Sequence, residues 1–289
     1  MNPDYYNKIK QAFNKAAASY STTAVLQQEI CHRLTEQLEF FTIKPELILD
    51  LGIGTGLSIP PLANLYPDSK IIGLDFAEQM LNIAKLNNQN NNNLFICADI
   101  NNIPIADNSV DIIFSNFSLQ WCDNIADVFR ECYRILKNDG LFIFSIPGPS
   151  SLYELKEALN AVDPEYDHVN NFIDMHDLGD MLVQNKFAHP VMDNDQFTLT
   201  YKNIINILKD LKALGANTKL SANYRKTLFG KYKFNQLYYA YEKFKQSDNK
   251  YPLTYEVIYA HAFKLAKPVR VKHPELSEIA VPIEKIIKK

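Results

Sequence analysis

Between residues 47 and 147 short apolar runs alternate with amphipathic stretches. Residues 47–51, 70–74, 94–98, 110–115 and 141–146 are predicted strands, with predicted helices at 57–66, 77–87 and 124–136. Near-continuous apolar strands separated by helices are what a parallel sheet covered on both faces requires. Upstream, residues 5–40 follow a helical period, with Ile9, Phe13, Ala16 and Ala17 on one face and Val25, Leu26, Ile30, Leu34 and Leu38 on another. The segment Lys15 to Ser21 falls between the two. Past residue 150 the alternation loosens into helix-like stretches at 151–162, 176–186, 202–214 and 234–246 and strand-like ones at 191–200 and 253–263. The expected fold is a doubly wound α/β sheet, mostly parallel, completed by an antiparallel final strand.

This pattern divides one domain into an N-terminal helical cap (1–44), a core (45–150), a C-terminal core (151–200), a helical insertion (201–250) and a last strand (251–266), followed by an extension at 267–289 with a short helix expected at 283–288. Inserted units late in such folds commonly cover the substrate. The polar tract 87–93 reads as a solvated loop.

Composition adds little: 47% apolar residues, 22% charged and a net charge of −3 give no global signal for nucleic acid or an anionic membrane. No apolar run reaches the length of a spanning helix, and the first residues do not read as a secretory signal, so a cytoplasmic protein is expected. Cys31, Cys97, Cys122 and Cys132 lack metal-ligand or redox spacing and read as reduced thiols, Cys97 within a strand core. The six histidines are scattered and no metal site is expected. Charge is uneven, however. From Lys202 to Lys233 the chain carries Lys202, Lys209, Lys212, Lys219, Arg225, Lys226, Lys231 and Lys233 against one acid, Asp210. Such a run is either a solvated surface or a dock for an acidic partner.

The chemistry centres on Ile48 to Gly56, where a strand runs into Asp50-Leu51-Gly52-Ile53-Gly54-Thr55-Gly56 and a helix follows. A glycine turn between strand and helix lets backbone approach a ligand and aims free N–H groups at it. The second strand ends in Asp75, 23 residues after Gly52, where an acid can accept from a ribose diol. Phe76 and Met80 follow it as candidate contacts. Dinucleotide sites place the third glycine one residue later, and Asp50 would repel phosphate but suits a cationic ligand. The stretch 50–56 resembles the D-x-G-x-G-x-G pattern of S-adenosylmethionine-dependent methyltransferases. That resemblance implies that Asp99 accepts from the adenine amino group while Ile100 packs on the ring. It also implies that Ser115 and Asn116 serve the methionine end, and that Gln120 and Trp121 face the acceptor. Tyr20, in the N-terminal cap, could line the site. Asp111, near the start of the fourth strand, reads as structural.

Beyond the cofactor motif the chain resembles the malonyl-acyl-carrier-protein O-methyltransferases of biotin synthesis. The resemblance rests on Phe13 to Tyr20, Ser115 to Cys122, Phe172 to Asp180, Leu208 to Asn217 and Tyr251 to Val257. It implies a Rossmann-like seven-stranded fold and methyl transfer from S-adenosylmethionine to the carboxylate of malonyl-acyl-carrier protein, releasing S-adenosylhomocysteine. The acidic carrier would dock at 202–233. A carboxylate is ionised at neutral pH and needs no general base, so the lack of an evident His/Asp dyad is expected. Arg225 is the candidate for holding the malonyl carboxylate, with Tyr20 and Gln120 orienting it. Rival readings on the same scaffold are a quinone-precursor methyltransferase, an arginine-hydroxylating assembly factor and a non-catalytic binding module.

Overall fold

The computed structural model describes residues 3–89, 93–215 and 230–266. Two helices, α1 (Pro3–Thr23) and α2 (Val25–Leu38), precede the sheet. The alternating part follows as β1 (Leu47–Leu51), α3 (Ile59–Leu65), β2 (Lys70–Asp75), α4 (Glu78–Asn87), β3 (Leu94–Cys97), β4 (Val110–Asn116), α5 (Ile125–Ile135) and β5 (Leu136–Pro147). The remainder is α6 (Tyr153–Val162), α7 (Met175–Gln184), β6 (Ala188–Tyr201), α8 (Ile204–Ala213), α9 (Lys231–Tyr241) and β7 (Tyr251–Lys264). Among the described residues no helix is long and apolar enough to cross a membrane.

The seven strands lie in the order β3-β2-β1-β4-β5-β7-β6, and β7 is antiparallel to both its neighbours. β1 pairs with β2 on one side and β4 on the other, both parallel. Strand order therefore reverses at β1, which opens a crevice beyond the carboxyl ends of β1 and β4. The final strand completes the sheet from within, since β6 takes the edge. Burial accounts for this: β7 is buried along nearly its whole length, whereas β6 alternates half-buried and exposed positions.

Alternate strand residues feed two cores, one on each face. Ile48, Ile112 and Ile143 pack with Leu26, Ile30 and Leu34 of α2, while Leu49, Ile113 and Phe142 pack with Val128, Phe129 and Cys132 of α5. Burying such a side chain is worth about 1.5–3 kcal/mol, so the strands place their carboxyl ends firmly.

Several local expectations change. Lys15 to Ser21 belongs to the closing turns of α1, and the break between the helices comes at the buried Ala24. β5 starts directly after α5, and Asp139, at φ +64°, sits in an irregularity inside the strand. Cys97 is exposed, because β3 is the outermost strand on its side. The polar tract is not all solvated loop: Asn87 closes α4 and Asn88 is buried, donating to Ala84 O at 2.9 Å. Residues 90–92, and the extension with its expected short helix, lie outside the described residues.

Asp111 is a structural clamp: its Oδ2 accepts from the backbone N–H of Glu46 (3.0 Å) and Leu47 (2.9 Å), and Lys137 pairs with it. Those donors open β1, the strand that carries the glycine loop. Asp111→Ala is expected to lower unfolding free energy by about 1–3 kcal/mol, the cost of stranding such donors. Urea denaturation checks this, and cofactor affinity measured under native conditions should stay unchanged.

Candidate active site

The glycine loop leaves β1 with Gly52 at φ +74° and Gly54 at φ +55°, backbone conformations that side chains disfavour. Their other reasons differ. A Cβ on Gly52 would fall 2.3 Å from Ser118 Cβ, so its absence lets the chain after β4 close against the end of β1. A Cβ on Gly54 would meet nothing within 4 Å and would project into open space where a ligand needs room. Gly56 faces away, against Ala84 and Asn88 of the α4 end. Asn87 Nδ2 donates to Thr55 O (3.2 Å), so the asparagine tract braces the loop.

Asp75 is the joint of the site. Its Oδ2 accepts from Gly54 N–H (2.9 Å) and its Oδ1 from Ala77 N–H (2.8 Å). Burial raises its pKa to about 6, with the hydrogen bonds from Ala77, Gly54 and Phe76 holding it down. An ionised carboxylate accepts about four hydrogen bonds, so it retains lone pairs for ligand hydroxyls. Asp50 lies beneath the loop, 2% exposed, and accepts from Ser58 Oγ. Burial raises it to about 7, opposed by that hydrogen bond. It is not on the cavity wall, so any attraction it exerts on a cationic ligand acts through space.

Two cavities meet beyond the strand ends. The first is lined by Gly52, Gly54, Asp75, Phe76, Met80, Asp99, Ile100 and Asn116, together with Tyr6, Ile9, Phe13 and Tyr20 from α1. These four α1 residues fall at helical spacing on one face, so α1 roofs the cavity. Edge-on ring contacts hold the roof: Phe13 lies 5.9 Å from Phe76 and 5.3 Å from Trp121 between centroids. Ser21 Oγ donates to Thr55 Oγ1 at 2.9 Å, fastening the end of α1 to the glycine loop.

The second cavity, about 330 Å3, is mostly apolar and is walled by α6, α8 and α9. It shares Phe13, Tyr20, Phe117 and Trp121 with the first. Phe117 has φ +52° and is held there by its N–H to Ser145 O (3.1 Å) and Oγ (3.1 Å). Strain of this kind gathers at functional sites. Tyr20 Oη makes no hydrogen bond to a described residue, and burial first, then the charge of Asp75, pushes its pKa well above the ordinary tyrosine value. It therefore stays a donor at the junction.

Not every sequence candidate reaches a wall. Ser115 Oγ turns back to Leu51 O (3.0 Å) and Ser118 Oγ (2.6 Å), bracing the strand end. Asn116 lines the first cavity, with Nδ2 committed to Gln27 O (2.9 Å) and Oδ1 to Ser145 Oγ (2.7 Å). Gln120 lines the second; one of its Nε2 hydrogens goes to Phe117 O (2.7 Å), while its Oε1 is buried with no hydrogen-bond partner among the described residues. Arg225, Lys219 and Lys226 lie outside the described residues.

Sequence reasoning missed one cluster. His168 Nε2 lies 3.1 Å from Asp163 Oδ2 on the wall of the second cavity, and Lys233 pairs with the same carboxylate. A His/Asp pair is therefore present after all, joined across α6, the following loop and α9. Asp163 and His168 are separated by four residues without regular periodicity, which gave no signal of it.

A parallel sheet reversing at β1, with a glycine loop and strand-end acids around a roofed crevice, defines a methyltransferase fold, and residues 49–144 match the "Methyltransferase domain" family model. A solved candidate methyltransferase of Bacillus halodurans superposes with a TM-score of 0.58 at 17% identity, covering 80% of this chain and 98% of that one. Among curated proteins, malonyl-[acyl-carrier protein] O-methyltransferase of Gallionella capsiferriformans is 44% identical over 90% of this chain and 91% of its own. The Nitrosospira multiformis protein of the same name is 38% identical over 95% of each. The chain belongs to the malonyl-[acyl-carrier protein] O-methyltransferase family.

Two opposed pH trends follow for Asp75. Its pKa is raised in the fold, so its contribution to stability is full below pH 3.8 and lost as pH rises through about 6. Ligand hydroxyls need the ionised form, so cofactor dissociation constants should fall over the same rise. Asp75→Asn is expected to weaken cofactor binding about ten-fold or more and to flatten both trends, as calorimetric titration and thermal unfolding across pH 5–7.5 would register.

Proposed function

We propose that this chain transfers the methyl group of S-adenosylmethionine to the free carboxylate of malonyl-acyl-carrier protein. The products are S-adenosylhomocysteine and the methyl ester that primes pimeloyl and biotin synthesis in the cytoplasm. The observation that carries the reading is the single wall of Phe13, Tyr20, Phe117 and Trp121 between a crevice built for a nucleoside and a separate apolar chamber.

When bound, S-adenosylmethionine supplies a methyl group on a positively charged sulfur. The residues fit it: Asp75 has lone pairs left for a ribose diol, Asp99 and Ile100 stand together for adenine, Met80 and Phe76 give apolar contact, and Gly54 leaves space. Asn116 lines the same crevice and is the residue assigned to the methionine end in this reading. The acceptor oxygen displaces the sulfur at carbon, so two opposite charges disappear together. A chamber that excludes water favours that loss of charge. The oxygen is already ionised and no proton has to be removed.

What remains is alignment, which can supply up to about 7–11 kcal/mol. Tyr20, a persistent donor where the cavities meet, is placed to orient the carboxylate, and Arg225 is the proposed cation for its charge. Lys202, Lys209, Lys212 and Lys231 are exposed and would steer an acidic carrier. Lys233 is instead held by Asp163.

Incubation with labelled cofactor and malonyl-carrier protein should yield a base-labile methyl ester, and tight cofactor binding without turnover would overturn the assignment. Arg225→Ala is expected to raise the acceptor KM strongly while leaving cofactor affinity alone. Tyr20→Phe should lower kcat/KM by about ten-fold or more, the worth of a hydrogen bond to a charged group. Reversing charge at Lys209 and Lys212 together should raise KM and reduce its salt dependence, with kcat retained.

A further inference from the structure

Gln27, on α2, is 9% exposed and lies in the wall of the second cavity. Its carbonyl oxygen Oε1 is buried and has no hydrogen-bond partner among the described residues. The same holds for Oε1 of Gln120 on that wall, whose amide nitrogen is already committed to Phe117 O. Burying an amide oxygen without a donor is unfavourable, and such groups in folded proteins have partners or await them. Both orphaned atoms are acceptors. A carboxylate or a thioester carbonyl carries no proton and satisfies neither, so the malonyl group is not what these oxygens are set out for.

Gln27 also has a place that Gln120 lacks. With Leu214 and Tyr255 it belongs both to the acceptor chamber and to a third cavity, lined by Thr22, Thr23, Tyr201 and Asp210. That third cavity opens beside the loop and helix that bear Lys202, Lys209 and Lys212, all exposed. An elongated group reaching the chamber from the lysine-bearing side passes Gln27. Its chemistry must combine apolar methylenes, for the walls, with N–H donors, for the orphaned oxygens.

We propose that Gln27 reads an amide N–H of the pantetheine arm that delivers the malonyl thioester, rotating its side-chain oxygen onto that donor as the arm passes from the third cavity into the second. The assignment rests on the malonyl-transfer reading above and specifies which part of the acceptor this residue recognises. Gln27 is a positioning residue: it touches the arm, not the reacting carboxylate.

The test compares malonyl-pantetheine, which carries amides, with malonyl ethyl thioester, which carries none, on wild-type enzyme and Gln27→Met. The substitution keeps length and removes the polar group. The KM for malonyl-pantetheine should rise about five- to ten-fold, the worth of one neutral hydrogen bond. The KM for the ethyl thioester should match wild type, as should cofactor affinity. The thermal midpoint should hold or rise, because an orphaned buried polar atom is gone. Equal losses on both thioesters, or no loss on either, overturn the Gln27 assignment alone. Failure of the wild-type enzyme to methylate any malonyl thioester overturns the functional reading beneath it.

Discussion

One carboxylate has to satisfy fold and ligand together. Asp75 ends β2 with both oxygens engaged by backbone N–H groups, one from the glycine loop and one from the turn that starts α4. A buried carboxylate needs such partners, or its desolvation would be prohibitive. The same bond that stabilises the acid orients Gly54, and so sets the curvature of the loop over which a ligand must lie. The shape of the loop is thereby a consequence of this one hydrogen-bonding requirement, and the lone pairs left on Asp75 face the crevice the loop bounds.

From that joint the site is built outward by packing rather than by further charge. α1 contributes a row of aromatic and aliphatic side chains that close the crevice, with Phe13 wedged edge-on between Phe76 and Trp121. The roof is fastened to the loop by a hydroxyl pair, Ser21 and Thr55. Asn14 Oδ1 of α1 also accepts from Gln79 N–H (2.9 Å), and Ala16 and Ala17 pack on Ala77 and Met80, so the roof is seated on α4 as well. On the acceptor side, Asp163 gathers His168 and Lys233 and so ties α6 to α9 around the chamber. The reaction removes charge, and the chamber presents mainly hydrocarbon to it.

This division of labour explains why a base is not required even though a His/Asp pair exists. The histidine is held against the buried carboxylate of Asp163, which Lys233 also engages, so the cluster ties together segments around the chamber. A carboxylate acceptor is already ionised at neutral pH, so what the apolar chamber can contribute is alignment.

The parallel core was legible because its strands are buried on both faces and carry their periods locally: β1, β2 and β4 fall where the apolar runs put them, and Gly52, Gly54 and Asp75 announce a ligand through spacing alone. The membership of α1 in the roof was legible only as a possibility for Tyr20. Which strand is the edge, that Cys97 is exposed, that Asp50 and Ser115 turn inward and that Gln27 and His168 line one chamber, with Asp163 behind the histidine, were not written in any window of sequence. Each depends on which distant segment packs alongside. Local pattern fixes an element's type and the face it buries, because those follow from backbone periodicity. The neighbour that covers the face, and hence the environment of each polar side chain on it, exists only once the sheet has closed.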